Sequence, residues 1–200
     1  MKSGATRHAL ILCLFCLGFG IVLTTTHDLA AGDIAVRANE DRLNSLAQVL
    51  PKTLSAGNPL ENVVTLHDDE GKPVTVYRAE KAGEITGLAY EISGTGYAGE
   101  IRLMLGVDPQ GKILGVRVLA HKETPGLGDK IETKKGDWIL RFSGLSLGNP
   151  PDAGWKVKKD GGQFDQFAGA TITPRGVVAA IRRGLQFFHS HQAELVKVKS

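Results

Sequence analysis

The first part of the chain is a long, uninterrupted run of apolar residues. Residues 9–26 contain no charged side chain and consist mostly of leucine, isoleucine, valine, phenylalanine, glycine and threonine. A helix needs about 20 predominantly apolar residues to cross the hydrocarbon core of a bilayer. The pattern therefore predicts a transmembrane anchor over residues 9–26.

The charges that flank this run predict its orientation. Lys2 and Arg7 precede it, and Asp28 is the first charged residue after it. Positively charged flanks stay on the cytoplasmic side, so residues 1–8 are predicted to be cytoplasmic and the rest of the chain to be exported. A cleaved secretory signal is the alternative, because Leu29-Ala30-Ala31 has the small residues of a cleavage site, and it exports the folded part equally.

After the anchor, the apolar positions take the spacing of an amphipathic helix. Residues 39–50 carry apolar side chains three or four positions apart, which is the spacing of one helix face. Pro51 ends this helix. Residues 27–58 are accordingly predicted to form a tether and a helix. The apolar positions are Leu43, Leu46, Ala47 and Leu50.

Short alternating or β-branched runs follow and predict strands. Turn residues such as Asp108-Pro109-Gln110-Gly111 separate them, so an antiparallel meander is expected. A final 3.6-residue pattern predicts a long C-terminal helix on that sheet. The fold class is therefore α+β: one N-terminal transmembrane helix, then a domain over residues 59–200 with an antiparallel sheet backed by helices. The strand runs are 63–66, 74–77, 85–92, 101–107 and 113–119, and the helix positions are Val178, Ile181, Leu185, Phe188 and Leu195.

Composition and charge exclude several classes of function. The 200 residues are 42% hydrophobic and 22% charged, and the formal net charge is only +3. No basic run exceeds a pair such as Lys158-Lys159, so nucleic-acid binding is not expected. Cys13 and Cys16 lie in the apolar run, where nothing stabilises a thiolate, so neither is predicted to do redox chemistry. The histidines are too scattered to indicate a metal site.

One segment near the C-terminus suits an anion. Asp165-Gln166-Phe167-Ala168-Gly169-Ala170-Thr171 is followed by Ile172-Thr173-Pro174 and the long helix. Thr173 and Pro174 look like the N-cap and first residue of that helix, which puts Thr171 on a tight turn just before it. Free backbone N–H groups favour a phosphate there, and Arg175 adds positive charge. A small-residue turn that binds no ligand is the alternative.

Two more glycine-rich strings suggest close approach of the backbone to a ligand. Residues 121–130 read HKETPGLGDK, and residues 94–101 read GTGYAGEI. Their glycines favour turns that admit a flat ring, and polar neighbours could bond its edge. A loop that needs glycine for geometry and a hairpin tyrosine in the core are the alternatives. The candidate binding residues are Tyr97, Glu123, Thr124, Gly126, Leu127, Gly128 and Lys130.

Together the three strings resemble the G subunit of the Rnf electron transport complex. The 165–171 segment is similar to the flavinylation motif of that family and of the related C subunit of sodium-translocating NADH:quinone reductase: Asp, two variable residues, Ser or Thr, then Gly-Ala-Thr. The resemblance implies FMN joined by a phosphoester to Thr171, with Gly169, Ala170 and Thr173 beside it. Ala168 departs from the motif, which has Ser or Thr at that position. The HKETPGLGDK string is closer to the Rnf protein than to the quinone reductase.

The resemblance also implies a function and partners. The chain is expected to be an electron-transfer subunit of an ion-translocating oxidoreductase, single-pass in a bacterial inner membrane, with its main domain on the periplasmic side. Its implied partners are the other subunits of the complex and a flavin transferase that takes FMN from FAD. Little activity is expected from this protein alone. An exported non-redox binding or scaffold module, an independent flavoenzyme and a flavin transferase itself remain as alternatives.

Overall fold

The computed structural model describes residues 2–51, 60–68 and 70–197. The chain divides into two compact units, Met1–Arg42 and Leu43–Ser200. Residues 52–58, at the end of the predicted tether, lie outside the described residues. The helices and strands are α1 (Lys2–Val49), β1 (Val63–His67), β2 (Pro73–Lys81), β3 (Glu84–Thr95), β4 (Glu100–Val107), β5 (Ile113–Ala120) and α2 (Ile172–Leu195). Short 3-10 helices between β5 and α2 are Asp129–Ile131, Trp138–Phe142, Asp152–Gly154 and Lys158–Asp160.

The first unit consists of the N-terminal part of α1. Within it, Thr6–His27 spans 22 residues with a mean hydropathy of 2.3, long and apolar enough to cross a membrane. Three consecutive threonine hydroxyls each donate a hydrogen bond to the carbonyl four residues earlier, at 2.7 or 2.8 Å. These bonds satisfy the hydroxyls within the helix, so Thr24, Thr25 and Thr26 can extend the apolar segment. The helix continues without a break through residues 27–49.

The second unit contains a five-stranded antiparallel sheet with the strand order β1-β2-β3-β4-β5. This order confirms the predicted meander. The Asp108 carboxylate closes the turn between β4 and β5, because it accepts the N–H groups of Gln110 at 2.9 Å and Lys112 at 2.8 Å. Gly111 has a φ of 83° in the same turn, which glycine adopts without strain.

Helices cover both faces of this sheet. The apolar stripe of α2, including Ile181 and Leu185, is buried in the main core with Leu103 and Leu105 of β4. Met104 points to the other face, as alternation along a strand requires, and packs in a second core with the last turns of α1. The unit therefore begins within α1, and its core lies on the two sides of one sheet.

The end of α1 differs in detail from the predicted apolar face. Leu46, Val49 and Leu50 are buried, whereas Leu43 is 38% exposed and Ala47 is exposed. The helix lies so close to the sheet that a Cβ at Gly106 would stand 2.5 Å from the Val49 carbonyl oxygen. This close approach turns Val49, rather than Ala47, toward the strands.

Aromatic side chains hold the long segment between β5 and α2. The Trp138 and Phe167 ring centroids are 5.2 Å apart, and those of Phe142 and Phe164 are 4.6 Å apart. Trp138 and Trp155 are both buried and pack in this cluster. The cluster fixes Phe167, and with it the turn that leads into α2.

Candidate functional site

Thr171 is the residue immediately before α2. The helix begins at Ile172 with Thr171 as its N-cap, so the predicted N-cap at Thr173 is wrong by two residues. Thr171 has helical dihedral angles (φ −68°, ψ −28°), whereas a side-chain cap needs extended ones. Its half-buried side chain accordingly makes no capping hydrogen bond. The hydroxyl is therefore not engaged in starting the helix.

A tight turn carries the chain into Thr171. The Ala170 N–H donates to the Phe167 carbonyl at 3.2 Å, and Gly169 has a φ of 78°. A side chain at Gly169 would be strained by that φ, and the atom nearest to its Cβ would be Leu127 Cδ2 at 3.5 Å. The tight turn predicted just before the helix is thus confirmed. Because its residues are small, they leave room for another molecule to approach Thr171.

Thr173 faces the interior instead of starting the helix. It is fully buried, and its hydroxyl donates a hydrogen bond to Oε2 of Glu123. Buried hydroxyls need a partner, and this bond spans 50 residues of sequence. Thr173 therefore ties the first turn of α2 to the loop after β5.

Glu123 joins the two glycine-rich strings 94–101 and 121–130 to the first turn of α2. Its other oxygen, Oε1, accepts the Ala98 N–H at 2.9 Å. A Cβ at Gly128 would lie 2.8 Å from both Oε2 of Glu123 and Oγ1 of Thr173, and a Cβ at Gly96 would collide with Oε1. The glycines at these positions thus make room for the carboxylate.

The hydrogen bonds to Glu123 favour its ionised form. Burial of this side chain, which is 5% exposed, acts to raise its pKa. The Thr173 hydroxyl and the backbone N–H groups of Ala98 and Tyr97 act in the opposite direction, and the net result is a lowered pKa. Since these internal donors occupy the carboxylate, Glu123 is placed to hold the loops together.

His121 supports the same loop, and sequence reasoning missed it. Its Nδ1 accepts the Glu123 N–H at 3.0 Å, and its Nε2 lies 2.7 Å from Oε1 of Glu132. Because Nδ1 accepts, the proton of a neutral ring is on Nε2, which donates to Glu132. The position of this histidine at the start of the string is the only signal that the sequence offered, and it does not specify these bonds.

Thr124, Gly126, Leu127 and Lys130 of this loop lie at the surface, whereas Gly128 is buried. The Thr124 carbonyl accepts the N–H groups of both Leu127 and Gly128 at 3.1 Å, and Gly126 has a φ of 78°. Leu127 is 42% exposed beside the Gly169 turn. Lys130 is exposed as well. The side chain of Leu127 thus lies beside the turn that leads to Thr171.

A core position was one of the two interpretations of the hairpin tyrosine, Tyr97, and the structure excludes it. Its side chain is 74% exposed, although its backbone N–H is bonded to Glu123. Its ring is therefore open to solvent at the hairpin that Glu123 joins to α2.

The acidic and basic residues near the turn are paired with each other. Asp165 accepts from Lys158 at 2.6 Å and from Arg141 at 2.5 Å, and the bond from Lys158 is the main reason that its pKa is lowered. Arg175 makes two 2.6 Å hydrogen bonds to Asp160. Arg175, which was expected to add positive charge at the phosphate site, is thus paired with Asp160.

Comparisons with known proteins show which family this chain resembles. A family model described as FMN-binding domain matches residues 96–186, which include Glu123 and Thr171. The G subunit of the ion-translocating oxidoreductase complex of Cereibacter sphaeroides is 51% identical over 98% of this chain and 89% of its own length. The G subunit of the same complex from Stutzerimonas stutzeri is 49% identical over 93% of this chain and 82% of its own length.

Among solved structures, Shewanella oneidensis NqrC is 25% identical to this chain, with 72% of each chain covered and a TM-score of 0.49. The identity and coverage of the two G subunits show the family. The chain belongs to the family of G subunits of the ion-translocating oxidoreductase complex and contains an FMN-binding domain.

Proposed function

We propose that the chain is an electron-transfer subunit that carries FMN covalently, joined through a phosphoester to the Thr171 hydroxyl. The observation that carries this proposal is the position of Thr171. It directly precedes a 24-residue helix, yet its hydroxyl makes no capping bond. The first N–H groups of a helix have no partner within it and attract phosphate. A nucleophilic hydroxyl and a phosphate-binding element thus coincide.

The attachment is a substitution at phosphorus, in which the Thr171 oxygen replaces AMP. The Thr171 oxygen would bond to the flavin-side phosphorus of FAD, AMP would leave, and the hydroxyl proton would pass to the transferase. The small side chains of the turn at Gly169 and Ala170 would let such an enzyme reach the hydroxyl. The Asp165 carboxylate is paired with Arg141 and Lys158, so it is not available to accept the hydroxyl proton.

The surroundings of Thr171 fit a flat, partly apolar group. Ile172 is 45% exposed, Leu127 42% and Tyr97 74%, so three large side chains of the candidate site present apolar surface to solvent. Gly126 has open space around it. These residues and Lys130 would hold the flavin, which supplies the one-electron and two-electron chemistry that side chains lack.

The place of this protein in the cell is part of the proposal. The family and the apolar helix Thr6–His27 identify a membrane protein. Lys2 and Arg7 precede the uncharged run 9–26 of this helix, which favours a cytoplasmic N-terminus and a periplasmic FMN-binding domain. Electrons would then pass between this chain and redox centres of the other subunits of its complex, after a flavin transferase has loaded it.

A substitution at Thr171 tests the attachment. The full chain is co-expressed with an active flavin transferase, denatured, and examined by in-gel flavin fluorescence and intact mass. The wild-type chain is expected to fluoresce and to gain the mass of one FMN less one water. Thr171→Ala is expected to be dark and unmodified, because the oxygen that forms the ester is gone.

Thr133→Ala is the matched control, because it removes an exposed threonine elsewhere in the domain and should keep full fluorescence. Flavin that survives on Thr171→Ala would rule out the assignment. A dark wild-type chain, beside a control protein that the same transferase labels, would favour the exported non-redox binding module.

A further inference from the structure

A basic groove of about 520 Å³ lies along α2, on the side where the 152–160 segment packs. Four basic side chains and one acidic side chain line it, so it has an excess of positive charge. Trp155 is buried in its wall. The charged lining residues are Lys156, Asp160, Arg175, Arg182 and Arg183.

The charges in this groove are only partly neutralised. Arg175 pairs with Asp160 and Arg182 with Asp152, in both cases at 2.6 Å. Asp152 is 72% exposed, and pairs at such exposure contribute little stability, so an incoming carboxylate can replace it. Within the described part of the chain, Lys156 and Arg183 form no salt bridge; Arg183 donates to the Ser93 carbonyl at 3.0 Å.

Two hydrogen-bond donors of the lining residues also lack a partner in the part of the chain that the structure describes. The indole N–H of Trp155 and the Nε of Arg182 are both buried and have no partner among the described residues. Guanidinium groups recognise carboxylates through paired N–H donors. The chemistry of the groove therefore matches a segment rich in aspartate or glutamate.

The groove follows the side of α2 on which Thr171 lies. Arg175, Arg182 and Gln186 follow Thr171 by 4, 11 and 15 residues, a spacing that keeps them on one helix face. With a rise of about 1.5 Å per residue, they lie roughly 6 to 22 Å from Thr171 along the helix axis. A molecule held in the groove is thus held beside the proposed flavin.

We propose that this groove docks an acidic segment of a partner redox subunit and so brings that partner's redox centre close to Thr171. The docking follows from the charge and shape of the groove, whereas its purpose rests on the proposed function. The basic side chains would steer the acidic partner and fix its orientation, which is the usual effect of charge complementarity at interfaces.

Charge reversal in the groove tests this proposal. Lys156→Glu/Arg183→Glu is introduced into the full chain in its native membrane, and the complex is purified through a tag on this chain over a range of salt concentrations. At moderate salt, at least about fivefold less of the other complex subunits is expected than with wild type. Flavin bound to Thr171 should be unchanged, since neither position belongs to the attachment site.

The matched control is Lys72→Glu/Lys134→Glu, which makes the same change in net charge at exposed positions away from the groove. Equal subunit retention by the groove variant and the control would overturn the proposal. So would normal retention combined with lost binding to vesicles that contain anionic phospholipid, because the groove would then contact lipid. Wild-type chain without flavin would refute the proposed function, and subunit retention would still test the docking.

A second measurement does not depend on charge reversal. A photo-crosslinking amino acid at Gln186, which is exposed and lines the groove, is expected to give an adduct whose mass matches another member of the complex. The same group at Lys134 should give none. No adduct from Gln186, in complexes whose subunits are all present, would contradict docking in this groove.

Discussion

At the scale of single residues, the ionised carboxylate of Glu123 holds the candidate site together. It joins residues that lie 25 and 50 positions away in the sequence. Hydrogen bonds to a charged group contribute more than neutral ones, and removing one partner leaves the others buried and unsatisfied. The position of Thr171, two residues before Thr173, therefore depends on a side chain from another element.

Glu123→Gln is expected to destabilise the protein by about 1–2 kcal/mol near neutral pH, because the amide replaces charged hydrogen bonds by neutral ones. The pKa of Glu123 is lower in the folded state than its ordinary value of 4.5. Its ionisation therefore contributes fully above that value, and the contribution is lost as the pH falls through the lowered pKa. The difference between wild type and variant should shrink there, as measured by urea unfolding of the detergent-solubilised chain.

The control for this prediction is Glu84→Gln, at an exposed carboxylate in β3, which should not alter the pH dependence. A stability difference between wild type and Glu123→Gln that stays constant down to strongly acidic pH would show that the buried side chain is not ionised.

At the scale of elements, two glycines set the distance between α2 and β3. A Cβ at Gly94 would stand 2.6 Å from the Gly176 carbonyl oxygen, and a Cβ at Gly176 would collide with the carbonyl oxygen of Thr95. Backbone can approach backbone this closely only where side chains are absent. The contact lies five residues after Thr171, so it also fixes the start of the helix.

Gly176→Ala is therefore expected to destabilise the protein by about 1–3 kcal/mol, as overpacking does. It should also reduce covalent flavin per chain, because α2 must move away from the sheet. Urea unfolding and flavin absorbance at equal protein concentration measure the two effects. Gly136→Ala is the control, since its nearest neighbour would be 3.9 Å away. Full stability and full flavin content in Gly176→Ala would refute the close contact.

Periodicity predicted the strands and α2 because each of these elements buries one face. It failed at the start of α2. Thr173 and Pro174 satisfy the local rules for an N-cap and a first helical residue, and nothing nearby in sequence excludes them. The bond from Thr173 to Glu123 turns this residue inward and moves the cap to Thr171.

At the scale of the whole molecule, residues 121–171 were the hardest to predict. They contain irregular chain and short 3-10 helices, held by aromatic contacts and by Glu123. Such contacts join positions far apart in sequence and leave no periodic signal. The resemblance indicated which strings matter, and in the structure the carboxylate of Glu123 joins two of them to the first turn of α2. The proposed flavin attachment and the proposed docking groove then share one helix.

The most direct test of the central claim is tandem mass spectrometry on chain purified from membranes with an active flavin transferase. Trypsin releases peptide 160–175, in which Thr171 and Thr173 are the only hydroxyl side chains. The C-terminal fragment that begins at Ile172 should have its unmodified mass, and the fragment that begins at Thr171 should be heavier by one FMN less one water. The added mass on the Ile172 fragment, or an unmodified peptide, would contradict attachment at Thr171.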